Sequence, residues 1–192
     1  MVKNIKCLFI TIILLSMTFS PVYANAIIAK AGMSGEKVVQ VQAMLFELEI
    51  LEGSIDGAFG SMTEQAVKSY QKKINAEPDG VVNQELERSL AIDSGLDFAK
   101  VKKSFSMNAS AYSAQDPGCG PRTATGALVA KGIIAVDPSL IPLGTQVYIP
   151  GYGKALAADV GGAIKGHVID IAFDTHQEAL QFGRRNVNVY IM

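Results

Sequence analysis

The spacing of apolar side chains changes once along this 192-residue chain, and that change limits what it can fold into. Between residues 30 and 90 the spacing is helical. Val38, Val41, Leu45 and Leu48 recur at intervals of three and four, the pattern of one buried helix face. From Phe105 the period is two: Phe105, Met107, Ala109 and Ala111 alternate with Ser106, Asn108, Ser110 and Tyr112. One element cannot hold both periods, so two architectures in succession are predicted. Charge shifts with the period, from 6 basic and 10 acidic side chains in 30–90 to 6 of each sign in 105–192. Residues 91–104, AIDSGLDFAKVKKS, are polar and without clear period, and read as a linker.

In the first segment Ser34 is placed to cap the leading helix. Asp56-Gly57 marks a turn, and Ser61 with Glu64 reads as a capping box opening a helix that carries Val67, Tyr70 and Ile74 on one side. A second Asp-Gly, 79–80, precedes a short helix ending near Leu90. In the second segment GIIAVD, TQVYI and KALAAD are short strand candidates separated by Pro and Gly turns. HVIDIAF places Ile169, Ile171 and Phe173 on one face and Asp170 on the other. Thr175 and Glu178 form a capping box before a short helix at 179–182 with Gly183 as its C-cap, and NVNVYIM ends the chain with Val187, Val189 and Ile191 on one face. Several short strands with one inserted helix suggest a small barrel.

The N-terminal residues 1–24 have the layout of a secretory signal peptide. Lys3 and Lys6 precede the apolar run CLFITIILLSMTF, and VYA at 22–24 offers small residues for cleavage. An uncleaved anchor is the alternative, with a run shorter than the roughly 20 residues that span a bilayer. Cleavage leaves 15 basic and 18 acidic side chains, net −3, which argues against nucleic acid as a partner. No second segment approaches membrane-spanning length, so no stable membrane insertion is expected after cleavage. Of two cysteines only Cys119 remains, so no intrachain disulfide is expected.

The motifs V-x-x-V-Q (38–42), I-D-G-A-F-G (55–60), T-x-x-A-V-x-x-Y-Q (63–71) and D-G-V-V (79–82) make residues 30–90 resemble the peptidoglycan-binding domain 1 family. The resemblance implies a three-helix wall-binding module with wall contact around 55–63. Residues 105–192 resemble the three-aspartate, or 3D, domain family. The matching stretches are A-x-A-Y (109–112), T-A-T-G (123–126), I-A-V-D-P-S-L-I-P-L-G-T (134–145), Y-I-P-G-Y-G (148–153), D-V-G-G-A-I-K-G (159–166), V-I-D-I-A-F (168–173) and F-G-R-R-x-V-x-V-Y-I (182–191). This second resemblance implies a mainly-β double-psi β-barrel, similar to the catalytic barrel of membrane-bound lytic transglycosylase A, and action on bacterial wall glycan. The family's three aspartates fall on Asp137, Asp159 and Asp170. One departure is Val160, where the family usually has threonine; a possible hydrogen bond near Asp159 goes with it.

Cutting a glycosidic bond requires a carboxylic acid that keeps its proton near neutral pH, and a hydrolase adds a second carboxylate. A lytic transglycosylase lets the substrate's own C6 hydroxyl attack, so one carboxyl serves as acid and then base. Asp170, on a rigid strand among apolar neighbours, is the candidate for that role. Asp159, before Gly161-Gly162, is placed to orient substrate or stabilise oxocarbenium charge. Asp137, ahead of Pro138, reads equally as a catalytic or a turn acid. Tyr112, Thr125, Gly126, Gly161, Gly162 and Lys165 are candidate substrate-binding residues, and with no Trp in the chain sugar stacking falls to Tyr112 or Tyr152.

No cofactor is expected. His167 and Asp170, three apart, point to opposite faces of a strand and make a poor metal pair. A cysteine peptidase would need Cys119 with His167 or His176, and Cys119 sits in the loop DPGCGPR rather than at a helix N-terminus. The expectation is therefore an exported protein of the cell envelope that cleaves peptidoglycan glycan strands as a transglycosylase. A glycan hydrolase using Asp159 and Asp170, and a non-catalytic wall-binding protein, are the alternatives.

Overall fold

The structure, a computed structural model, describes residues 26–192. The signal-peptide reading of 1–24 lies outside them. A short strand β1 (Ile27–Ala29) pairs antiparallel with β2 (Val82–Asn83) and ties the start of the helical module to its end. Between them run α1 (Glu36–Glu47) and α2 (Ser61–Lys73), and α3 (Gln84–Ser94) follows β2. The predicted apolar stripes bury as expected: Val38, Val41, Leu45, Val67 and Tyr70 are at most 1% exposed.

Two helix starts differ from the sequence reading. Helix α1 begins after Gly35, while Ser34 forms a bridge with Ala58 and caps nothing. Helix α2 begins after Gly60, so Ser61 is its first residue rather than its cap, and Glu64 pairs with Lys68 one turn on. The backbone segments entering the two helices pair with each other, Gly35 N with Gly57 O and Phe59 N with Met33 O, which leaves a side-chain cap without a role. The box at Thr175 and Glu178 forms as predicted.

The two Asp-Gly turns are organised by one repeated device. Gln42, 1% exposed on α1, donates from its amide to Asp56 Oδ1 (2.9 Å), Ala58 O (3.1 Å) and Thr63 Oγ1 (3.0 Å), while its oxygen accepts from Gly57 N (2.8 Å). Gln71, on α2, donates to Asp79 Oδ1 (2.6 Å) and Val81 O (3.2 Å) and accepts from Gly80 N (2.9 Å). Gly57 and Gly80 sit at φ 73° and 76°, a region that other residues enter only with strain. The Gln42 amide and the Ala58 N–H hold the Asp56 carboxyl below its ordinary pKa; the Val81 N–H and Gln71 do the same at Asp79. Gln42→Ala strands a buried backbone N–H and frees the loop. It is expected to lower stability by about 2–3 kcal/mol, read from denaturant unfolding.

The second unit is a closed barrel with strand order β3-β7-β4-β6-β5-β8. Its strands are β3 (Lys103–Ser113), β4 (Ile133–Ala135), β5 (Gln146–Ile149), β6 (Gly153–Asp159), β7 (Val168–Phe173) and β8 (Arg185–Ile191), with α4 (His176–Phe182) between the last two. Two parallel pairs, β3 with β7 and β4 with β6, meet along the antiparallel β4–β7 seam, and β3 closes on β8. This is the predicted fold class, a small helical module followed by a mainly-β barrel of the double-psi type. Met107, Ala109, Ile134, Ile149, Ile169, Ile171 and Val189 fill the interior.

The predicted linker is structured. Helix α3 runs to Ser94, a 3-10 turn occupies Phe98–Lys100, and β3 starts at Lys103. Leu96 is fully buried in the helical module's core. Tyr148 and Tyr190, opposite each other on β5 and β8, also belong to that core rather than to the barrel's, and Phe98 packs edge-on against both at 5.9 and 5.0 Å. The helical module is therefore docked on the barrel wall.

Candidate active site

The barrel's β3 and β7 lie parallel with Ser110 opposite Asp170, so the alternation that buries Ala109 and Ile169 turns both polar side chains to the outer face. Asp170 is half-buried, and Ser110 Oγ donates to its Oδ1 at 2.8 Å. Burial pushes the Asp170 carboxyl above its ordinary pKa. The Ser110 hydroxyl opposes that shift, and the Asp116 carboxylate adds to it.

Asp159 ends β6, the strand that pairs with β4, and β4 pairs with β7, so the topology carries both aspartates to one rim of the barrel. Three donors converge on the Asp159 carboxylate: Tyr112 Oη, Ala124 N and Val160 N, each at 2.9 Å. Tyr112 shares a face of β3 with Ser110, and burial together with the Asp159 and Asp170 carboxylates drives its phenol far above the ordinary value. The T-A-T-G turn supplies Ala124. Thr125 anchors that turn to Ala158 O through its hydroxyl (2.8 Å) and its N–H (3.3 Å), and Arg122 Nη1 donates to Gly126 O (2.7 Å). At position 160 the backbone N–H does the holding, so the departure from threonine leaves Asp159 fully bonded, and the Val160 side chain is exposed.

These groups line a cleft of about 310 Å³ with Asp159, Asp170, Tyr112 and Gly161 on its walls. A Cβ on Gly161 would stand 2.8 Å from Ile164 Cγ1, so only glycine lets the backbone lie this close to the cleft wall. The other candidates fall outside. Asp137 is tied into the turn after β4, accepting from Ser139 N (3.0 Å), Ser139 Oγ (2.7 Å) and Gly166 N (2.7 Å), and the Gly166 and Ser139 bonds hold its carboxyl at about 2. Lys165 is exposed beside it, Gly162 lies off the cleft wall, and Thr125 and Gly126 sit in the turn that supplies Ala124 without lining the cleft. Tyr152 is a buried core residue, its hydroxyl donating to Ala172 O (2.6 Å) and accepting from Gly132 N (2.6 Å).

The sequence reading does not single out Ser110, which bonds Asp170, nor cleft-lining residues such as Arg122, Val129, Ile164 and Cys119 as part of a carboxylate cleft. Ser110 was findable, since it keeps step with Tyr112 on β3. The loop residues carry no periodic signal. Burial and the Asp116, Asp170 and Asp159 carboxylates raise the Cys119 thiol above its ordinary value, which keeps it protonated and opposes the cysteine-peptidase alternative. Among the described residues no group of three or more His, Cys, Asp or Glu side chains is arranged to hold a metal ion.

The fold and this cleft define a two-module protein, a small helical unit docked on a closed barrel that presents two differently held carboxylates. Residues 34–90 match the family described as putative peptidoglycan binding domain, and residues 132–192 match the 3D domain. Strand β3, with Ser110 and Tyr112, lies ahead of the second match. Curated relatives include the cell wall-binding protein YocH of Bacillus subtilis (42% identity; 53% of this chain, 37% of that one). The putative cell wall shaping protein YabE of the same organism is 42% identical over 47% of this chain and 23% of its own length. The spore cortex-lytic enzyme of Halalkalibacterium halodurans is 35% identical over 40% of this chain and 23% of its own. The chain thus spans well under half the length of these relatives. Among solved structures, the SleB N-terminal domain aligns with 37% of this chain and 96% of its own at 28% identity and a TM-score of 0.35. MltA from E. coli aligns with 38% of this chain and 28% of its own at 28% identity and a TM-score of 0.32.

Proposed function

We propose that this protein acts at the cell wall and cuts the glycan strands of peptidoglycan, with the barrel cleft as active site and the helical module as wall-binding unit. The observation that carries the reading is Asp170, a carboxyl raised by burial, facing the same cleft as the hydrogen-bonded Asp159. Asp170 protonates the leaving glycosidic oxygen, and its carboxylate then takes the proton of the attacking hydroxyl. If that hydroxyl is the C6 hydroxyl of the same N-acetylmuramic acid, the product is a 1,6-anhydro sugar and the enzyme is a lytic transglycosylase. Asp159, oriented by Tyr112, Ala124 and Val160, stabilises positive charge at C1. Asp137 serves the barrel turn rather than the chemistry. The name of YocH favours a second reading, wall binding without cleavage.

Mass spectrometry of purified wall digested with the protein separates these readings. Anhydro-muropeptides support the transglycosylase, new reducing ends indicate a hydrolase, and an undigested wall leaves binding alone. Tyr112→Phe removes one of the three donors on Asp159. It is expected to slow cleavage about 10- to 100-fold, the worth of one hydrogen bond to a charged group, with little change in melting temperature. An unchanged rate in Tyr112→Phe would separate Asp159 from the chemistry.

A further inference from the structure

The outer face of β3 and β8 carries a file of side chains that the cleavage reading does not use. In register along the two strands come Ser104 with Tyr190, Ser106 with Asn188, and Asn108 with Asn186. The same face of β3 continues to Ser110, bonded to Asp170, and Tyr112, bonded to Asp159. At one end Tyr190 is buried under the helical module. Next to it, Ser106, Asn186 and Asn188 line a cleft of about 490 Å³ whose opposite wall is the helical module's Ser54, Ile55 and Asp56. The file therefore follows one face of β3 and β8, in register, from the cleft beside the helical module's loop toward the candidate acid.

Its chemistry is uniform. Ser106, Asn108 and Asn186 are exposed, Asn188 is half-buried, and none carries a charge. Arg185, at the edge, is occupied: its guanidinium covers the Phe182 ring and donates to the Gln181 and Phe182 carbonyls. Arg184 beside it is exposed and favours the charged form of Asp170 at the far end of the file. Hydroxyls and primary amides offer paired donors and acceptors that match sugar hydroxyls and acetamido groups. They offer nothing specific to a phosphate backbone, and the closed barrel has no free edge here on which a peptide could add as a strand. Ser106 to Ser110 covers about 13 Å at the strand rise, room for more than one sugar ring.

We infer that this file is a glycan track, on which the sugar backbone of an N-acetylated β-1,4 polysaccharide lies along β3 and β8 with one end in the inter-module cleft and its reacting bond at Asp170. The inference rests on the cleavage reading only for what happens at that far end. The track makes the docking of the two modules functional, because one strand is gripped by both at a fixed register.

The test uses the full chain carrying Asp170→Asn, so that ligand stays intact, and a soluble hexamer of β-1,4-linked N-acetylglucosamine as probe. Asn108→Ala with Asn186→Ala is expected to weaken hexamer binding at least tenfold in calorimetry, and the hexamer's advantage over the dimer is expected to shrink with it. In the unsubstituted track, the side-chain amide resonances of Asn108, Asn186 and Asn188 are expected to shift on titration with hexamer, which needs no track variant to fold. Parental affinity in the double variant, or unmoved amide resonances with hexamer bound, overturns the track. Wall digestion by the wild-type protein reports separately. Product with a track-insensitive hexamer leaves cleavage standing without the track. No product with track-sensitive binding leaves the track standing on a protein that binds and does not cut.

Discussion

Asp170→Asn is expected to reduce release of wall fragments about 10²- to 10⁴-fold, the usual contribution of a positioned general acid-base group, while binding to wall persists. The amide is nearly isosteric and still accepts from Ser110, so the cleft keeps its shape and loses only its transferable proton. Wild-type cleavage is expected to fall as pH rises through the Asp170 pKa. That pKa stands above the ordinary carboxyl range because burial disfavours the charged form. Stability moves in the same sense. Below the ordinary carboxyl pKa both native and unfolded chains hold the proton, and Asp170 imposes nothing on folding. Above it the unfolded chain ionises first, so stability falls until the native group also ionises, and the loss is complete beyond the native value. Asp170→Asn is therefore expected to melt above wild type at neutral pH, with the difference vanishing at low pH. Scanning calorimetry across pH reads this directly. Equal cleavage by the variant would remove Asp170 from the mechanism, whatever its effect on melting.

The second large effect is expected at the module junction. Tyr148 and Tyr190 are fully buried in the helical module's core though they grow from barrel strands, so Tyr148→Ala or Tyr190→Ala opens a cavity shared by both units. Each is expected to lower stability by about 3–5 kcal/mol, as large aromatic truncations do. The corresponding Phe substitutions separate packing from polarity. Among the described residues neither phenol oxygen makes a hydrogen bond of good geometry, though Glu47 stands near the first and Glu36 and Asn188 near the second, and burial raises both phenols far above the ordinary value. The nearby Glu47 carboxylate adds to that shift at Tyr148, and Glu36 adds to it at Tyr190. Tyr148→Phe and Tyr190→Phe are therefore expected to be neutral or slightly stabilising. A barrel freed of the helical module would expose both rings, and is expected to bind a hydrophobic dye and aggregate where the full chain does not. Truncation that leaves melting and solubility unchanged would show that the docking contributes nothing.

The candidate site was partly legible in the sequence. Asp170 and Tyr112 could be placed because β-strand alternation assigns a face to every residue once Ile169, Ile171, Met107 and Ala109 are recognised as core. Asp159 could be placed at a strand end because Gly161-Gly162 follows it. Asp137 could not be separated from them, since a strand-end acid before proline looks the same whether it faces a cleft or a neighbouring turn. Its bonds to Gly166 and Ser139 settle where it points, and Gly166 lies 29 residues away. The helix caps at Ser34 and Ser61 failed for a related reason. Local pairing rules assumed free helix ends, and the two incoming segments already hold each other through bonds between residues 32–35 and 57–59.

What the sequence determined by itself is what depends on periodicity and short-range chemistry: a helical unit followed by a small barrel, the Asp-Gly turns, the capping box at Thr175, and which face of each strand its acids occupy. The tertiary structure alone decided what depends on residues distant in the chain. It set Ser110 beside Asp170, closed Tyr112 and Ala124 onto Asp159, buried Tyr148 and Tyr190 under helices that lie far earlier in the chain, and made a structured junction of a segment that reads as a linker. The physical reason is that a period reports which side of an element is apolar, whereas the partner on that side is chosen by packing and strand register across the whole fold.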